Sequence, residues 1–394
     1  TCRIVEIRGN PMGDLEFIDM ELRPGTTQSP LLSMDRMNVS FRLIPLLTGK
    51  IWISSMEISG ARINLAKTPE NKWNVENLFS PDRDSPGNGI GFFTIDIRQM
   101  VITDAKGTLI RRDKQQEEIR HTVSLDCRAA VTIGREASVR LSHLAFAIDD
   151  PHVVVTDSAG RLRFDPDAGR LDLVNVRLVG EKSRVTIDGA LRVFEESPFM
   201  DMHLLVEALS LPEMGRAVQL EFADAGMVTG ELHFAGTVKD LDWRAALELE
   251  KSRFQGEGTM GIDDRRHVSL NASGRLSDVD PAVVPLPVFK RLAGNLNAKV
   301  RVAGRYQGES GFFGAAAVEL EPSRVAGYDI TAASLHVAAQ GPDLSLEIQR
   351  LDTPYGRGQG RAVVQGIIPR DQEKRINLSV TAHDGRDVDV IDQC

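Results

Sequence analysis

The stretch "SRVTIDGALRV", residues 183–193, carries the pattern that decides the fold. Apolar and polar side chains alternate along it with a period of two residues. Successive side chains of a β-strand point to opposite faces of a sheet, so this period collects the apolar residues on one face. The stretch therefore predicts a strand with one apolar and one polar face. The apolar positions are Val185, Ile187, Leu191 and Val193.

The same alternation recurs through the second half of the chain. It is found in "GELHFAG" from residue 230, "HVSLNASGRL" from 267, "GNLNAKVRVAG" from 294, "DLSLEIQRL" from 343 and "RINLSVTAHD" from 375. Turn-forming Gly, Asp, Asn and Pro separate these runs, and helical patterns are few and short. Such strands fit either two or three closed sandwiches or one long curved sheet. The apolar positions are Leu232, Phe234, Val268, Leu270, Leu296, Val300, Val302, Leu344, Leu346, Ile348, Ile376, Leu378 and Val380.

Local departures from the pattern predict the organisation of the chain. Around Leu173 and Val174 the alternation changes phase, which predicts a β-bulge. The polar stretch 80–89 is rich in Pro and Gly and predicts a flexible loop. The expected divisions are an N-terminal β unit over 1–79, that loop, a central β segment over 90–225 and a repeat-like β segment over 226–394. Both termini have strand character, so we expect the chain to be a fragment of a longer protein.

Composition argues against several classes of protein. The chain has 47 Lys and Arg against 56 Asp and Glu, a formal net charge of −9, and no local basic patch. Nucleic acid is therefore not an expected partner. The three cysteines, Cys2, Cys127 and Cys394, are too widely spaced for a zinc module. No apolar run is long enough to predict a membrane span.

The sequence offers no convincing catalytic or metal-binding motif. "GEGTMG", residues 256–261, matches a dinucleotide fingerprint, but a strand rather than a helix is predicted to follow it. "FDPDAGRLD", residues 164–172, begins like a calcium loop, yet Val176 stands where a bidentate Glu is needed. We therefore predict a protein that is not an enzyme and that has no metal and no cofactor.

One segment resembles a known family. "MDRMNVSFRLIPLLTGKIWISSMEISGARINL", residues 34–65, followed by "NKWNVENLF", residues 71–79, resembles the N-terminal region of the AsmA-like/TamB superfamily. The likeness lies in a Pro-Leu-Leu-x-Gly turn, the two apolar strands after it, and the Trp73-Asn74 pair. The chain departs from the family pattern at Asn71, and at Gly60-Ala61, where the family usually has Pro. Later repeats resemble the same proteins, more weakly over residues 90–200.

The resemblance implies both a fold and a function. Members are bacterial periplasmic proteins, held in the inner membrane by an N-terminal helix that we expect to lie outside this fragment, and they transfer lipid between membranes. It implies an all-β fold: a long antiparallel sheet curled into an open hydrophobic trough, with a few short helices. The apolar positions named above would then line a groove for phospholipid acyl chains, conducted between the inner and outer membranes.

Physical chemistry supports the same hypothesis. A phospholipid carries about 30 acyl CH₂ groups, so its transfer through water costs upward of about 20 kcal/mol. A one-layered sheet of alternating strands would replace that apolar contact along its length. Two alternatives are an assembly factor that pairs its open sheet edge with an outer-membrane β-barrel protein, and a structural β-rod.

Overall fold

The computed structural model describes residues 2–23, 30–66, 94–112, 118–150, 152–192, 197–218, 226–263, 267–281, 293–307, 311–341, 343–365, 375–382 and 386–388. Nearly all of them lie in strands, and the sheet is long and mixed. The predicted fold class, an all-β chain built on a long curled sheet with little helix, is confirmed. The sheet is not wholly antiparallel as predicted, because two pairings within the described residues are parallel.

The chain divides into two compact units. The first comprises Thr1–Arg192 with Arg216–Gln219, and the second comprises Val193–Gly215 with Leu220–Cys394. The boundaries predicted at residues 79, 89 and 225 lie outside the described residues.

In the part of the chain that the structure describes, twelve strands form the first unit. Neighbours pair antiparallel along the series β1, β2, β3, then β6, β7, β8, then β10, β11, β12. β4 and β5 lie between β3 and β6. Both pair antiparallel with β3 on one side and parallel with β6 on the other. β9 extends the line of β10 along β8. The bounds are β1 Cys2–Asn10, β2 Asp14–Leu22, β3 Leu32–Arg42, β4 Lys50–Ser59, β5 Arg62–Ala66, β6 Thr94–Arg112, β7 Glu118–Ile133, β8 Ala137–Ile148, β9 Val153–Val155, β10 Asp157–Asp165, β11 Arg170–Val179 and β12 Arg184–Arg192, with a 3₁₀ helix at Ile44–Thr48.

The second unit is an antiparallel meander. Each strand pairs with the next, except that β19 pairs with β22 while the small β20–β21 hairpin pairs with the start of β18. The bounds are β13 Phe199–Ser210, β14 Met227–Thr237, β15 Asp240–Leu249, β16 Ser252–Ile262, β17 Val268–Val279, β18 Gly294–Tyr306, β19 Phe312–Leu320, β20 Ser323–Val325, β21 Tyr328–Ile330, β22 Ala332–Gly341, β23 Asp343–Thr353, β24 Gly356–Gln365, β25 Arg375–Ala382 and β26 Arg386–Val388. Helix α1, Leu211–Val218, follows β13, and its residues 216–218 are assigned to the first unit.

Candidate functional site: an apolar sheet face

In the second unit, strand register places the predicted apolar residues in rows across one face, which we call the apolar face. Residues that are directly opposite on paired strands share a face. One row runs Leu232, Ala245, Gly256, Gly274, Val300, Val318, Leu335, Ile348. The next runs Phe234, Trp243, Gly258, Ala272, Val302, Ala316, Val337, Leu346. A third contains Met260, Leu270, Gly304, Gly314, Ala339, Leu344. No charged or polar residue interrupts these rows.

The remaining predicted positions of this unit fall at the margins of the same face. Val268 pairs with Ile262, and Leu296 pairs with Val279. Ile376, Leu378 and Val380 lie on β25, at register positions that extend the three rows through β24. Their side chains lie outside the described part of the structure.

The first unit has an apolar face of the same kind. Val185, Ile187 and Leu191 of β12 lie opposite Leu178, Val176 and Leu171 of β11. Val193, the fourth position predicted in that stretch, lies outside the described residues. Farther along the sheet the face becomes more deeply buried, around a cluster of Ile97, Cys127, Ala129 and Val131. Burial there raises the pKa of the Cys127 thiol.

Within the described ranges most residues of the apolar face are half-buried rather than buried, and the strands belong to one long sheet. Along β15 the apolar residues are mostly half-buried, whereas the polar residues between them are exposed. A closed sandwich would bury its inner faces fully against each other. This partial burial within one long sheet favours the curled sheet over the sandwiches that the sequence left open.

Aromatic rings lie over glycines on the apolar face. A Cβ added at Gly256 would come 2.6 Å from the Phe254 ring, and one at Gly304 would come 2.3 Å from the Phe312 ring. These rings therefore occupy the space that side chains would take at the neighbouring positions. Gly256 belongs to "GEGTMG", and all three glycines of that stretch lie inside strand β16 and not at the start of a helix, which contradicts the dinucleotide interpretation.

Bulges keep the apolar residues in phase. The bulge predicted near Leu173 is confirmed: between Leu173 and Val176 the register of β11 against β12 shifts, and Asn175 has a φ of 49°. Val174 and Asn175 together lie opposite the single residue Asp188, so the bulge adds one residue to β11. Leu173 and Val176 therefore both lie on the apolar face. The Asn175 backbone N–H donates to Asp188 Oδ1 at 2.7 Å.

Charge is confined to the opposite, polar face. Arg275 of β17 and Lys299 of β18 both form ion pairs with Glu321. The hydrogen bond from Arg275 has the largest effect, followed by that from Lys299, and both lower the pKa of the Glu321 carboxyl. An open concavity of about 510 Å³ also lies on this face, with His233, Arg244 and Arg301 among its lining residues. Sequence reasoning missed it, since it depends on which side chains the strand register brings together.

The described residues offer little for other chemistry. They contain no group of three or more His, Cys, Asp or Glu side chains that could hold a metal ion. At residues 165–168 the Asp165 carboxylate accepts hydrogen bonds from the Asp167 and Ala168 backbone N–H groups, which makes this stretch a turn. No helix in the described ranges combines the length and apolar character needed to cross a bilayer.

A comparison of the chain with known protein families, with curated proteins and with solved structures finds no match. The resemblance to the AsmA-like/TamB superfamily therefore stays a prediction from the sequence.

Proposed function

We propose that the apolar face binds the acyl chains of phospholipid and that the protein conducts phospholipid between the inner and outer membranes of a bacterial envelope. The observation that carries this proposal is the set of uninterrupted apolar rows whose side chains remain mostly half-buried. On this proposal the polar headgroup stays in solvent, and the protein acts in the periplasm, anchored to the inner membrane.

Energetics favour an acyl guest on such a surface. Removal of apolar surface from water contributes about 25 cal/mol per Å² of favourable free energy. Any apolar molecule that covers a half-buried row is therefore bound favourably. An acyl chain is long and narrow, and it matches a row that is one residue wide and crosses many strands. Each strand adds about 4.8 Å to such a row, so a chain of about 16 carbons covers about four strands.

Lipid crosslinking tests the proposal. A photoreactive phospholipid should crosslink to the chain, and Val300→Asp or Leu346→Asp should reduce the yield at least about tenfold, because a carboxylate in the row must be desolvated under the acyl chain. Ser345→Asp is the matched control, since Ser345 adjoins Leu346 in β23 and faces the other side of the sheet. Equal crosslinking of all three variants and the parent chain would contradict the proposal.

A second candidate function is the pairing of edge strand β1 with a strand of an outer-membrane protein. Within the described residues β1 pairs with β2 alone, and Val5 and Ile7 are 60% and 56% exposed. An open edge presents unpaired backbone groups to another strand. Slower hydrogen exchange in β1 after addition of an unfolded barrel protein would favour this function, and unchanged exchange would count against it.

A further inference from the structure

A cluster of exposed apolar side chains stands at one corner of the first unit. Ile44 is 82% exposed, Leu46 46% and Leu47 90%, all on the 3₁₀ helix that joins β3 to β4. Met12, 69% exposed, lies in the turn between β1 and β2. The Phe41 backbone N–H donates to Gly13 O at 2.8 Å, so the two turns are adjacent. We call these four side chains and their two turns the apolar tip.

The tip is held in a defined conformation. Pro45 occupies the start of the 3₁₀ helix, and Gly49 ends it with a φ of 71°. The Gly49 N–H donates to Leu46 O at 3.0 Å, and Thr48 Oγ1 donates to Pro45 O at 2.8 Å. Since the turn is already ordered, little conformational entropy remains to be lost when its side chains are covered.

Other turns at this end of the unit differ from the tip. Thr94 N–H donates to Gly49 O, and Ile95 pairs with Ile133, which places the turn after β7 at the same end. That turn and the one after β10 are polar, and an ion pair of 3.4 Å joins Arg135 to Asp167. Single exposed apolar residues occur at other strand ends, such as Ile133 at 37%, but the most exposed ones at this end of the unit belong to the tip.

Exposed cations border the 3₁₀ helix of the tip, while one exposed carboxylate, Asp14, lies beside the Met12 turn. From residue 36 to residue 56 the chain contains no Asp or Glu, although Arg36 in this range already pairs with Glu16 at 3.2 Å. Arg42 and Lys50 directly flank the turn and are exposed. Apolar side chains bordered by exposed cations match the interface of an anionic bilayer, where acyl chains lie beneath negative headgroups.

We propose that the apolar tip inserts into the interface of a lipid bilayer that carries anionic headgroups. Ile44 and Leu47 enter the acyl region, while Arg42 and Lys50 pair with the headgroups. This contact does not rest on the proposed function of the apolar face, because it involves the side chains of two turns and no acyl chain bound along the rows.

Vesicle flotation tests this inference. The intact chain should float with phosphatidylcholine vesicles that contain phosphatidylglycerol, and less with phosphatidylcholine alone. Ile44→Ser/Leu47→Ser should weaken binding at least about tenfold, because two large apolar side chains no longer leave water. Arg42→Gln/Lys50→Gln should weaken binding to the anionic vesicles only, and should reduce its sensitivity to salt.

Tyr355→Ser is the matched control, because Tyr355 is 89% exposed in a turn of the second unit. It should float like the parent chain. Circular dichroism checks that each variant is folded, which we expect since the substituted side chains are exposed. The inference is overturned if the parent chain does not float, or if the tip variant floats as well as the parent. It is also overturned if the tip substitutions abolish self-association of the chain instead of vesicle binding, since the occupant would then be a second copy.

Discussion

Three residues with positive φ meet the same local requirement in different parts of the sheet. At each, a bulge leaves one backbone N–H without a ladder partner, and a side-chain oxygen on the opposite strand accepts it. The pairs are Asp104 N with Asp126 Oδ1 at 2.9 Å, Asn175 N with Asp188 Oδ1 at 2.7 Å, and Asp278 N with Asn297 Oδ1 at 2.9 Å. Their φ angles lie between 49° and 54°, a region that Asn and Asp tolerate better than most residues.

Removal of one acceptor should therefore destabilise the first unit. Asp188→Ala leaves the Asn175 N–H unpaired, and we expect the free energy of unfolding to fall by about 1–3 kcal/mol in urea titration. Asp188→Asn keeps an acceptor oxygen and should recover most of the loss. Glu57→Ala, in an exposed mid-strand position with no bulge opposite, should change stability by less than about 0.5 kcal/mol. If the Asp188 and Glu57 variants behave alike, the hydrogen bond at the bulge contributes nothing.

Gly304 tests whether the ring packing on the apolar face is required. A Cβ there would lie 2.3 Å from the Phe312 ring and 2.8 Å from Phe313 O, so Gly304→Ala must displace the ring. We expect a loss of about 1–3 kcal/mol, measured by thermal or urea unfolding. Gly358→Ala is the control on the same face, because its nearest atom, on Leu351, is 3.9 Å away. Equal stability of the two variants would show that the ring moves aside freely.

At the scale of elements, the sequence predicts which face of the sheet a side chain lies on better than it predicts which strands pair with each other. Val300 and Leu346 could be assigned to the apolar face because a period of two residues depends only on local backbone geometry. The parallel pairing of β4 with β6 could not be predicted in this way. Parallel strands are joined by a crossover connection, and no local sequence pattern indicates which strand lies beside which. The bulge at Asn175 was visible as a change of phase, whereas those beside Asp104 and Asp278 lie where the alternation is too weak to reveal a shift.

Ion pairs across several strands should make stability depend on acid pH. Arg275 and Lys299 lower the pKa of Glu321 in the folded chain, so its charged form stabilises the fold above the ordinary Glu pKa. This contribution is lost as the pH falls through the lowered pKa. We measure the urea concentration at the midpoint of unfolding as a function of pH. Glu321→Gln should make this midpoint fall less steeply at acid pH, by a small amount because the residues are near solvent. Exposed Glu319→Gln, two residues earlier, is the control; an identical acid limb in both variants would rule out the pair as the cause.

At the scale of the whole molecule, the division into two units predicts how the chain unfolds. Each unit has its own strand pairings, and each has an apolar face with its own buried residues, such as Val131 in the first and Val206 in the second. Chains of more than one domain often unfold in separate steps. We therefore expect two transitions in calorimetry or in urea. Asp188→Ala should lower only the transition of the first unit, and Gly304→Ala only that of the second. A single transition that both variants shift equally would mean that the sheet unfolds as one cooperative body, and destabilisation at Asp188 would then also weaken any lipid binding at Val300.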